Sequence, residues 1–332
     1  MKMALIGCSG HWPLAMVTRA EADAALVGIA PGPEGSDMAP VRETAQRNGH
    51  EPNMYTDWRT MLDREKPDVV TVDSEYRYHA AVAAEALRRG KHVFCEKPVA
   101  TTLDDLAMLR AAHAQSGAHF AGMLELRYSP EIAAAWQAVQ EGHIGAVRLV
   151  TAQKSYRLGS RGAMFKSRER SGGTIPWVGT HAVDWIRWIA GEPFETVFAA
   201  QTRRGNAGHV EVGFAAGCAF RMADEILATA NIDYLRPKEA LSHGDDRVRV
   251  AGTVGIVEAR HGAAYIMNPD GTGERELPLL PKGVMFLDFL AQIRGTGACR
   301  ITAAETFENT YVALMARESA DTGRLLSLTD PA

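Results

Sequence analysis

The chain has 332 residues, of which 46% are hydrophobic and 23% charged, and its formal net charge is −4. This length suits two domains, and the composition is that of a soluble globular protein. Because both signs of charge are mixed along the chain, no region offers the basic field that a nucleic acid or a membrane surface would need. There is no signal-peptide pattern or long apolar stretch, and the four cysteines are scattered without a Cys-x-x-Cys pair. We therefore expect a cytoplasmic protein with reduced thiols, no metal site, and no nucleic acid or membrane partner.

A glycine-containing turn follows the first predicted strand, residues 3–6, and precedes a predicted helix at residues 14–24. In a dinucleotide-binding domain such a turn brings backbone N–H groups close to a pyrophosphate. Its two glycines are Gly7 and Gly10, and other residues stand where Gly-x-Gly-x-x-Gly has its second and third glycines. Taken alone the turn is more often structural than nucleotide-binding, so its position at the first strand-to-helix crossover carries the assignment. The predicted cofactor contacts here are Gly7, Ser9, Gly10, His11 and Trp12.

The end of the second predicted strand, residues 25–30, should carry an acidic residue that accepts hydrogen bonds from the ribose of NAD. The chain continues instead as Pro-Gly-Pro-Glu at residues 31–34, and no arginine stands there to receive a 2′-phosphate. Glu34 could fold back toward the turn. The sequence therefore leaves both NAD and NADP open.

Strands and helices continue to alternate up to residue 124. Residues 67–72 and 93–95 are buried strands, residues 79–89 form a helix, and a capping-box-like spacing at Thr102 opens another helix that Gly117 closes. Glu96 and Lys97 follow the strand at residues 93–95, at the edge where open α/β sheets bind ligands. An ordinary ion pair in a loop is the alternative for these two residues. The pattern predicts a parallel sheet covered on both faces, an α/β Rossmann domain over residues 1–124.

The second half, residues 125–332, is predicted to be an α+β domain with a large, mostly antiparallel, open sheet. After a helix that runs to Val139, β character dominates. A capping box at Thr302 opens the closing helix, which is predicted to run to Asp321. The predicted strands are residues 147–153, 197–201, 210–214, 219–222, 227–232, 247–251 and 255–259.

A glycine-rich stretch at residues 171–185 is the most informative part of this domain. On one continuous helix, Trp177, His181, Asp184 and Trp188 share a sector that could face a ligand, while the neighbouring apolar sector packs. A core histidine held by Asp184 one turn away is the alternative.

Two segments together resemble the glucose-fructose oxidoreductase/inositol dehydrogenase/MocA family. Residues 69–98 contain the family's Glu-Lys-Pro tripeptide at Glu96, and residues 177–184 match its Asp-x-Gly-x-His-x-x-Asp motif except at the first aspartate, which is Trp177. Residues 73–75, Asp-Ser-Glu, also depart from the usual Thr-Pro-Asn, although Ser74 is still expected near the cofactor. The resemblance implies NAD or NADP as cofactor, a reaction without a metal, and a homodimer or homotetramer built through the open sheet.

The resemblance also implies hydride transfer between nicotinamide and a secondary alcohol or ketone of a sugar, inositol or related polyol. His181 would act as the base, Lys97 would stabilise the oxyanion, and Asp184 would complete the catalytic set. Two alternatives stay open: a redox-neutral, NAD-assisted glycoside-processing enzyme, and a catalytically inert member that binds nucleotide or sugar. The predicted substrate contacts are Arg127, Tyr156, Arg157, Trp177, His181 and Tyr234, with His243 nearby.

Overall fold

The computed structural model describes residues 1–329. The chain divides into two compact units, of which the first comprises residues 1–124, 169–172 and 284–307 and the second the rest of the described chain. Residues 284–307, which the sequence analysis placed with the second domain, thus cluster with the first. Among residues 1–329, the helices are either too short or too polar to span a bilayer.

The described chain forms the following strands and helices. The strands are β1 (Lys2–Ile6), β2 (Ala25–Ala30), β3 (Asn53–Met54), β4 (Val69–Val72), β5 (His92–Cys95), β6 (Phe120–Gly122), β7 (Val147–Tyr156), β8 (Phe194–Thr202), β9 (Ala215–Met222), β10 (Leu227–Asp233), β11 (Gly244–Gly252), β12 (Ile256–Arg260), β13 (Ala263–Met267), β14 (Arg275–Glu276) and β15 (Leu326–Ser327). The α-helices are α1 (Arg19–Ala22), α2 (Ala39–Arg47), α3 (Trp58–Glu65), α4 (His79–Arg88), α5 (Leu103–Ser116), α6 (Pro130–Gln140), α7 (Ala163–Lys166), α8 (Arg168–Ser171), α9 (Thr180–Ala190), α10 (Met285–Arg294) and α11 (Ala303–Thr322).

The first unit is built on a six-stranded parallel sheet in the order β3-β2-β1-β4-β5-β6. All of β4 and the last three residues of β5 are buried, as continuous apolar runs in a parallel sheet require. This strand order is that of a doubly wound dinucleotide-binding sheet, so the predicted Rossmann domain is confirmed. The order places the ends of β1 and β4 side by side, which matters for the site below.

The predicted helix at residues 14–24 is wrong. A 3₁₀ turn at Trp12–Ala15 is followed by irregular chain, and α1 has only four residues. The carbonyl oxygens of Met16 and Val17 accept hydrogen bonds from the side chains of Asn48 and His50 instead of from helical N–H groups. A capping box at Thr18 then starts α1 afresh.

The second unit is built on a nine-stranded sheet in the order β14-β13-β12-β11-β7-β10-β9-β8-β15. The pairing of β7 with β10 is parallel and the other pairings are antiparallel, so the prediction of a mostly antiparallel sheet is confirmed. Helix α9 packs on β7 and β10. Phe198, Leu227 and Leu149 are 46%, 56% and 37% exposed, and the register puts all three on one face of the sheet.

The predicted strand at residues 210–214 is also wrong, because these residues belong to the connection between β8 and β9. Val210 has a φ of +42° and Gly208 a φ of +76°, which turns the chain instead of extending it. The carbonyl oxygen of Val212 accepts a hydrogen bond from the Asn206 side chain, 3.1 Å away, within the same loop.

Candidate functional site

The turn after β1 is fixed between two neighbouring strand ends. The Gly7 N–H donates to the carbonyl of Ala30 at 2.9 Å, and the Ser9 N–H donates to the carbonyl of Asp73 at 2.8 Å. Gly7 has a φ of +81°, and a Cβ there would lie 2.5 Å from the Ser74 Cα. Only glycine fits this close approach, so the turn has the backbone geometry of a dinucleotide-binding loop.

The carboxyl group of Asp73 caps this turn from the end of β4. Its Oδ1 accepts the N–H of Gly10 at 2.5 Å. The side chain is completely buried. Burial, and after it the negative charge of Glu96, raises the pKa of Asp73 well above its usual range, while the N–H donors act in the opposite direction.

The side chain of Glu96 packs against the same turn. A Cβ at Gly10 would lie 2.9 Å from the Glu96 Cγ, so only glycine leaves room there. Glu96 Oε1 lies 2.8 Å from His11 Nδ1 and 3.8 Å from Lys97 Nζ. Burial alone would raise the pKa of Glu96, but the charges of His11 and Lys97 outweigh it and lower that pKa. Glu96 therefore holds its negative charge between the Lys97 ammonium group and the His11 imidazole.

Lys97 is 4% exposed at the carboxyl end of β5 and precedes a cis peptide bond to Pro98. His79 ties this loop to the end of β4, because its ring nitrogens lie 2.8 Å from the carbonyl oxygen of Pro98 and 2.7 Å from that of Ser74. Burial lowers the pKa of His79. The histidine thus holds together the two loops that follow β4 and β5.

Glu34 folds back toward the turn. Its Oε1 accepts a hydrogen bond from the hydroxyl of Ser36 at 2.6 Å and from that of Ser9 at 3.5 Å. A Cβ at Gly32 would overlap the Glu34 carboxylate and the Ser74 side chain. A carboxylate therefore stands after β2, four residues later than the usual pattern places it.

Four buried polar atoms around this turn have no hydrogen-bond partner within the described chain: Glu34 Oε2, Asp73 Oδ2, Ser74 Oγ and Glu96 Oε2. Buried polar atoms are costly unless a ligand or water satisfies them. Together with the two glycine contacts, they fit a polar ligand such as a dinucleotide.

The second unit carries His181 at the start of α9. Residues Ile175–Gly179 form a π-helical turn that joins α9, so the single continuous helix assumed for Trp177 and His181 is wrong. A Cβ at Gly179 would lie 2.4 Å from Ile232 Cδ1, and this glycine lets the π turn pack directly against β10. Such turns are frequent at functional sites.

His181 and Asp184 are both buried. His181 Nε2 lies 4.0 Å from Oε1 of Glu125. Arg127, 1% exposed, donates to the Asp184 carboxylate from Nε at 2.9 Å and from Nη2 at 2.6 Å. The structure thus gives Arg127 and Asp184 a shared ion pair.

A buried lysine lies in the middle of the second sheet. Lys154 Nζ donates to Asp246 Oδ2 at 2.6 Å and lies 4.5 Å from the ring centre of Tyr156. Burial lowers the pKa of Lys154, although Asp246 opposes the shift. Burial and the charge of Asp246 raise the pKa of Tyr156, which stacks on His243 at 5.1 Å.

Trp177 is 8% exposed and stacks on Phe165 with a centroid distance of 4.3 Å. The Arg161 guanidinium lies 5.3 Å from the Trp177 ring and 5.0 Å from the Tyr234 ring. The structure therefore brings two of the predicted substrate residues, Trp177 and Tyr234, together around Arg161. Arg157 instead bonds the carbonyl oxygens of Ala240 and Ser242 and fastens its own loop.

Four residues described above are not predicted from the sequence: Asp73 in the first unit, and Glu125, Lys154 and Arg161 in the second. Lys154 could have been noticed from the sequence. It lies two and four residues from the buried Ala152 and Val150, so its side chain points to the same buried face of the strand, where a lysine is unusual. Glu125 follows β6 closely, and carboxyl ends of parallel strands are where ligands bind. Asp73 also follows a buried strand, but its part in the turn depends on a tertiary contact.

Comparisons with known proteins agree with this architecture. Residues 1–122 match the GFO_IDH_MocA model, described as an oxidoreductase family with an NAD-binding Rossmann fold, and residues 132–258 match the GFO/IDH/MocA C-terminal domain. The structure of an oxidoreductase from Thermotoga maritima is 41% identical with a TM-score of 0.93, and the match covers 98% of this chain and 100% of that one.

Two relatives are named for reactions on sugar-like compounds. Levoglucosan dehydrogenase from Pseudarthrobacter phenanthrenivorans is 31% identical over 159 residues, which is 45% of this chain and 40% of that protein. A 1,5-anhydro-D-fructose reductase from Ensifer adhaerens is 27% identical over 277 residues, 77% of this chain and 78% of that protein. In the former and two further curated relatives, the match spans less than two thirds of the relative's own length.

Proposed function

Because the chain belongs to the Gfo/Idh/MocA family of NAD-binding oxidoreductases, we propose that it transfers hydride between NAD and a secondary alcohol or ketone of a sugar or related polyol. The observation that carries this proposal is the buried Lys97 at the carboxyl end of β5, in the same unit as the glycine turn. A lysine in this position acts strongly on developing charge, since little water screens it. The names of the relatives support a sugar-like substrate.

Two side chains carry the proton and the charge in the proposed oxidation. His181 takes the hydroxyl proton as the C–O double bond forms, and the Glu125 carboxylate 4.0 Å from Nε2 stabilises the resulting imidazolium. Lys97 stabilises the negative charge that develops on the substrate oxygen. A bound nicotinamide supplies the hydride acceptor. Asp184 acts as a positioning residue, because its bond to Arg127 anchors α9 one turn beyond His181.

Glu34 supports NAD over NADP in this proposal. A carboxylate near the turn suits the hydroxyl groups of a ribose and repels a 2′-phosphate. Its Oε2 is buried without a hydrogen-bond partner in the described chain, so it has an acceptor to offer.

We also propose that the open face of the second sheet, marked by Leu149, Phe198 and Leu227, joins copies of the chain. Three partly exposed apolar side chains on one face are what an association surface presents. Sedimentation of the protein at micromolar concentration tests this, and a single monomeric species would contradict it.

The function is tested by a screen of sugars, anhydrosugars, inositols and sugar acids with NAD and with NADP. We expect stoichiometric formation of NADH with at least one polyhydroxylated compound. Release of sugar without net NADH would favour the redox-neutral alternative. Tight binding of NADH without turnover on any compound would favour the inert alternative, which the retention of both Lys97 and His181 argues against. Activity confined to small apolar ketones would contradict the polyol assignment.

A further inference from the structure

Asp73 accepts hydrogen bonds from two backbone N–H groups of the glycine turn. The N–H of Gly10 donates to the Asp73 carboxyl group, and that of Ser9 donates to the Asp73 carbonyl. Pro13 has no N–H to offer. A pyrophosphate that binds through the N–H groups of Ser9 and Gly10 must therefore share or replace the contacts that Asp73 makes.

The charge on Asp73 decides whether sharing is favourable. An ionised Asp73 would hold a negative charge against the same donors that a pyrophosphate needs, in a completely buried place where repulsion is strong. A neutral Asp73 carries a hydroxyl that can donate a hydrogen bond. Its Oδ2 is buried and has no hydrogen-bond partner within the described chain, so a proton on this oxygen has no acceptor among the described residues.

We propose that Asp73 is a cofactor-binding residue that works as a neutral carboxylic acid, accepting the Gly10 N–H through one oxygen and donating to the dinucleotide pyrophosphate through the other. The inference rests on the placement of the pyrophosphate at this turn in the proposed function. Binding of the dinucleotide then takes up a proton whenever Asp73 is ionised in the free protein. No bond other than that O–H bond forms or breaks.

The surroundings favour the neutral form of Asp73. Burial raises its pKa first, and the nearby negative charge of Glu96 raises it further. Glu96 itself remains charged because His11 and Lys97 flank it. Of the two carboxyl groups beside Gly10, Glu96 therefore favours the charged form and Asp73 the protonated form. The other charged or titratable groups near the two are Cys8, Glu34, His79 and Cys95.

The test measures NADH binding and proton uptake between about pH 5 and about pH 9. Fluorescence titration gives the Kd, and calorimetry in buffers of different ionisation enthalpy gives the number of protons taken up. At pH values above the pKa of Asp73, we expect the Kd of the unmodified protein for NADH to rise by up to about tenfold per pH unit, because only the protein with a protonated Asp73 binds. Uptake should approach one proton per NADH in that range.

Asp73→Asn keeps a neutral acceptor and donor in the same place. We expect its Kd to change with pH by less than about twofold over the same range, with no proton uptake assigned to this site. Asp63→Asn, which changes an exposed carboxylate paired with Arg89, is the matched control and should behave like the unmodified protein. Should Asp73→Asn fail to fold, Asp73→Ser serves as the second neutral variant. The number of protons that the unmodified protein takes up on NADH binding is measured without any variant.

The outcomes separate this inference from the proposed function. NADH binding that is independent of pH in the unmodified protein and tighter in Asp73→Asn overturns the role of Asp73, because Asp73 is then ionised and repels the dinucleotide throughout, and it leaves the dinucleotide site standing. Binding that is independent of pH with the same Kd in both proteins supports an Asp73 that is neutral over the whole range. A pH dependence that persists in Asp73→Asn also overturns the role of Asp73 and points to His11, whose imidazole faces Glu96. Failure of NADH to bind at any pH, in either protein, overturns the proposed function together with this inference.

Discussion

Arg127 and Asp184 form a buried bidentate ion pair in which Nε and Nη2 of the arginine each donate to the carboxylate. Both side chains are no more than 2% exposed. From the sequence, Arg127 is predicted to contact the substrate and Asp184 to belong to the catalytic set. Their pairing connects the helix that carries His181 to the 3₁₀ turn at Glu125–Tyr128.

Breaking this pair from one side should destabilise the protein by about 3 to 5 kcal/mol, because a buried charge is left without its partner. We expect this loss for Arg127→Met, measured by urea denaturation. The double variant Arg127→Met with Asp184→Leu should recover much of it, since no buried charge remains. Arg187→Gln is the control, because its pair with Glu308 is partly exposed and should contribute less than about 1 kcal/mol. Equal losses for the two arginines would contradict the buried-pair argument.

The elements that the sequence predicts correctly are those that a local residue pattern determines. The alternation of apolar strands with helices gave the first sheet, and the capping boxes at Thr102 and Thr302 mark real helix starts, since each threonine accepts the N–H three residues later. The helix predicted at residues 14–24 failed because tertiary bonds from Asn48 and His50 compete for its carbonyl oxygens.

The parts of the site that the sequence missed depend on register and on strand order. Asp73 meets the glycine turn because β4 lies beside β1. Lys154 meets Asp246 because β11 pairs with β7 in one particular register. Both contacts join residues that are more than sixty positions apart in the chain, and no local pattern signals them.

Lys97→Ala and His181→Ala should each lower turnover by about a hundredfold to ten-thousandfold, the usual range for a positioned acid, base or charge. NADH affinity should remain within about threefold, because neither role requires a contact with the adenine half of the cofactor. The double variant should lose little more than the worse single variant, since both residues serve one step. Lys91→Ala, in the turn before β5, is the matched control. Near-normal turnover in His181→Ala would remove this histidine from the mechanism.

Glu34 should set the choice between the two cofactors. We expect the unmodified protein to favour NAD, and Glu34→Arg to shift the ratio of NADP to NAD efficiency by about tenfold to a hundredfold, since one change removes a repulsion and adds a phosphate partner. Steady-state kcat/KM with each cofactor measures the ratio. Glu34→Gln separates the two effects, because it removes the charge without adding a cation. An unchanged ratio in both variants would show that Glu34 does not face the ribose.

Trp177→Ala should destabilise the protein by about 3 to 5 kcal/mol, since a large buried ring is lost and Phe165 keeps no stacking partner on that side. Trp177→Phe keeps an aromatic surface and should cost clearly less. Trp177→Asp restores the family carboxylate, but it also buries a charge, so we expect it to combine lower stability with altered substrate preference. Thermal unfolding and kcat/KM across a sugar panel measure the two effects. A fully stable Trp177→Ala protein would mean that the ring serves the ligand rather than the fold.

Lys154 should make stability depend on pH in the alkaline range. Burial lowers the pKa of Lys154 in the folded state. At pH values between that lowered pKa and the ordinary lysine pKa of about 10.4, the unfolded chain holds a proton that the folded chain has lost. The unfolded state then binds more protons, and the stability contributed by this group rises with pH across the window and is lost as pH falls through the folded pKa.

We therefore expect the unmodified protein to gain stability relative to Lys154→Met as pH rises, by at most about 1.4 kcal/mol per pH unit. Lys154→Arg keeps a cation that does not deprotonate, so it should lose stability relative to the unmodified protein over the same range. Chemical denaturation of the three proteins from about pH 7 to about pH 10.5 measures these differences, and parallel curves for all three would show that the Lys154 ammonium keeps its proton beside Asp246 throughout.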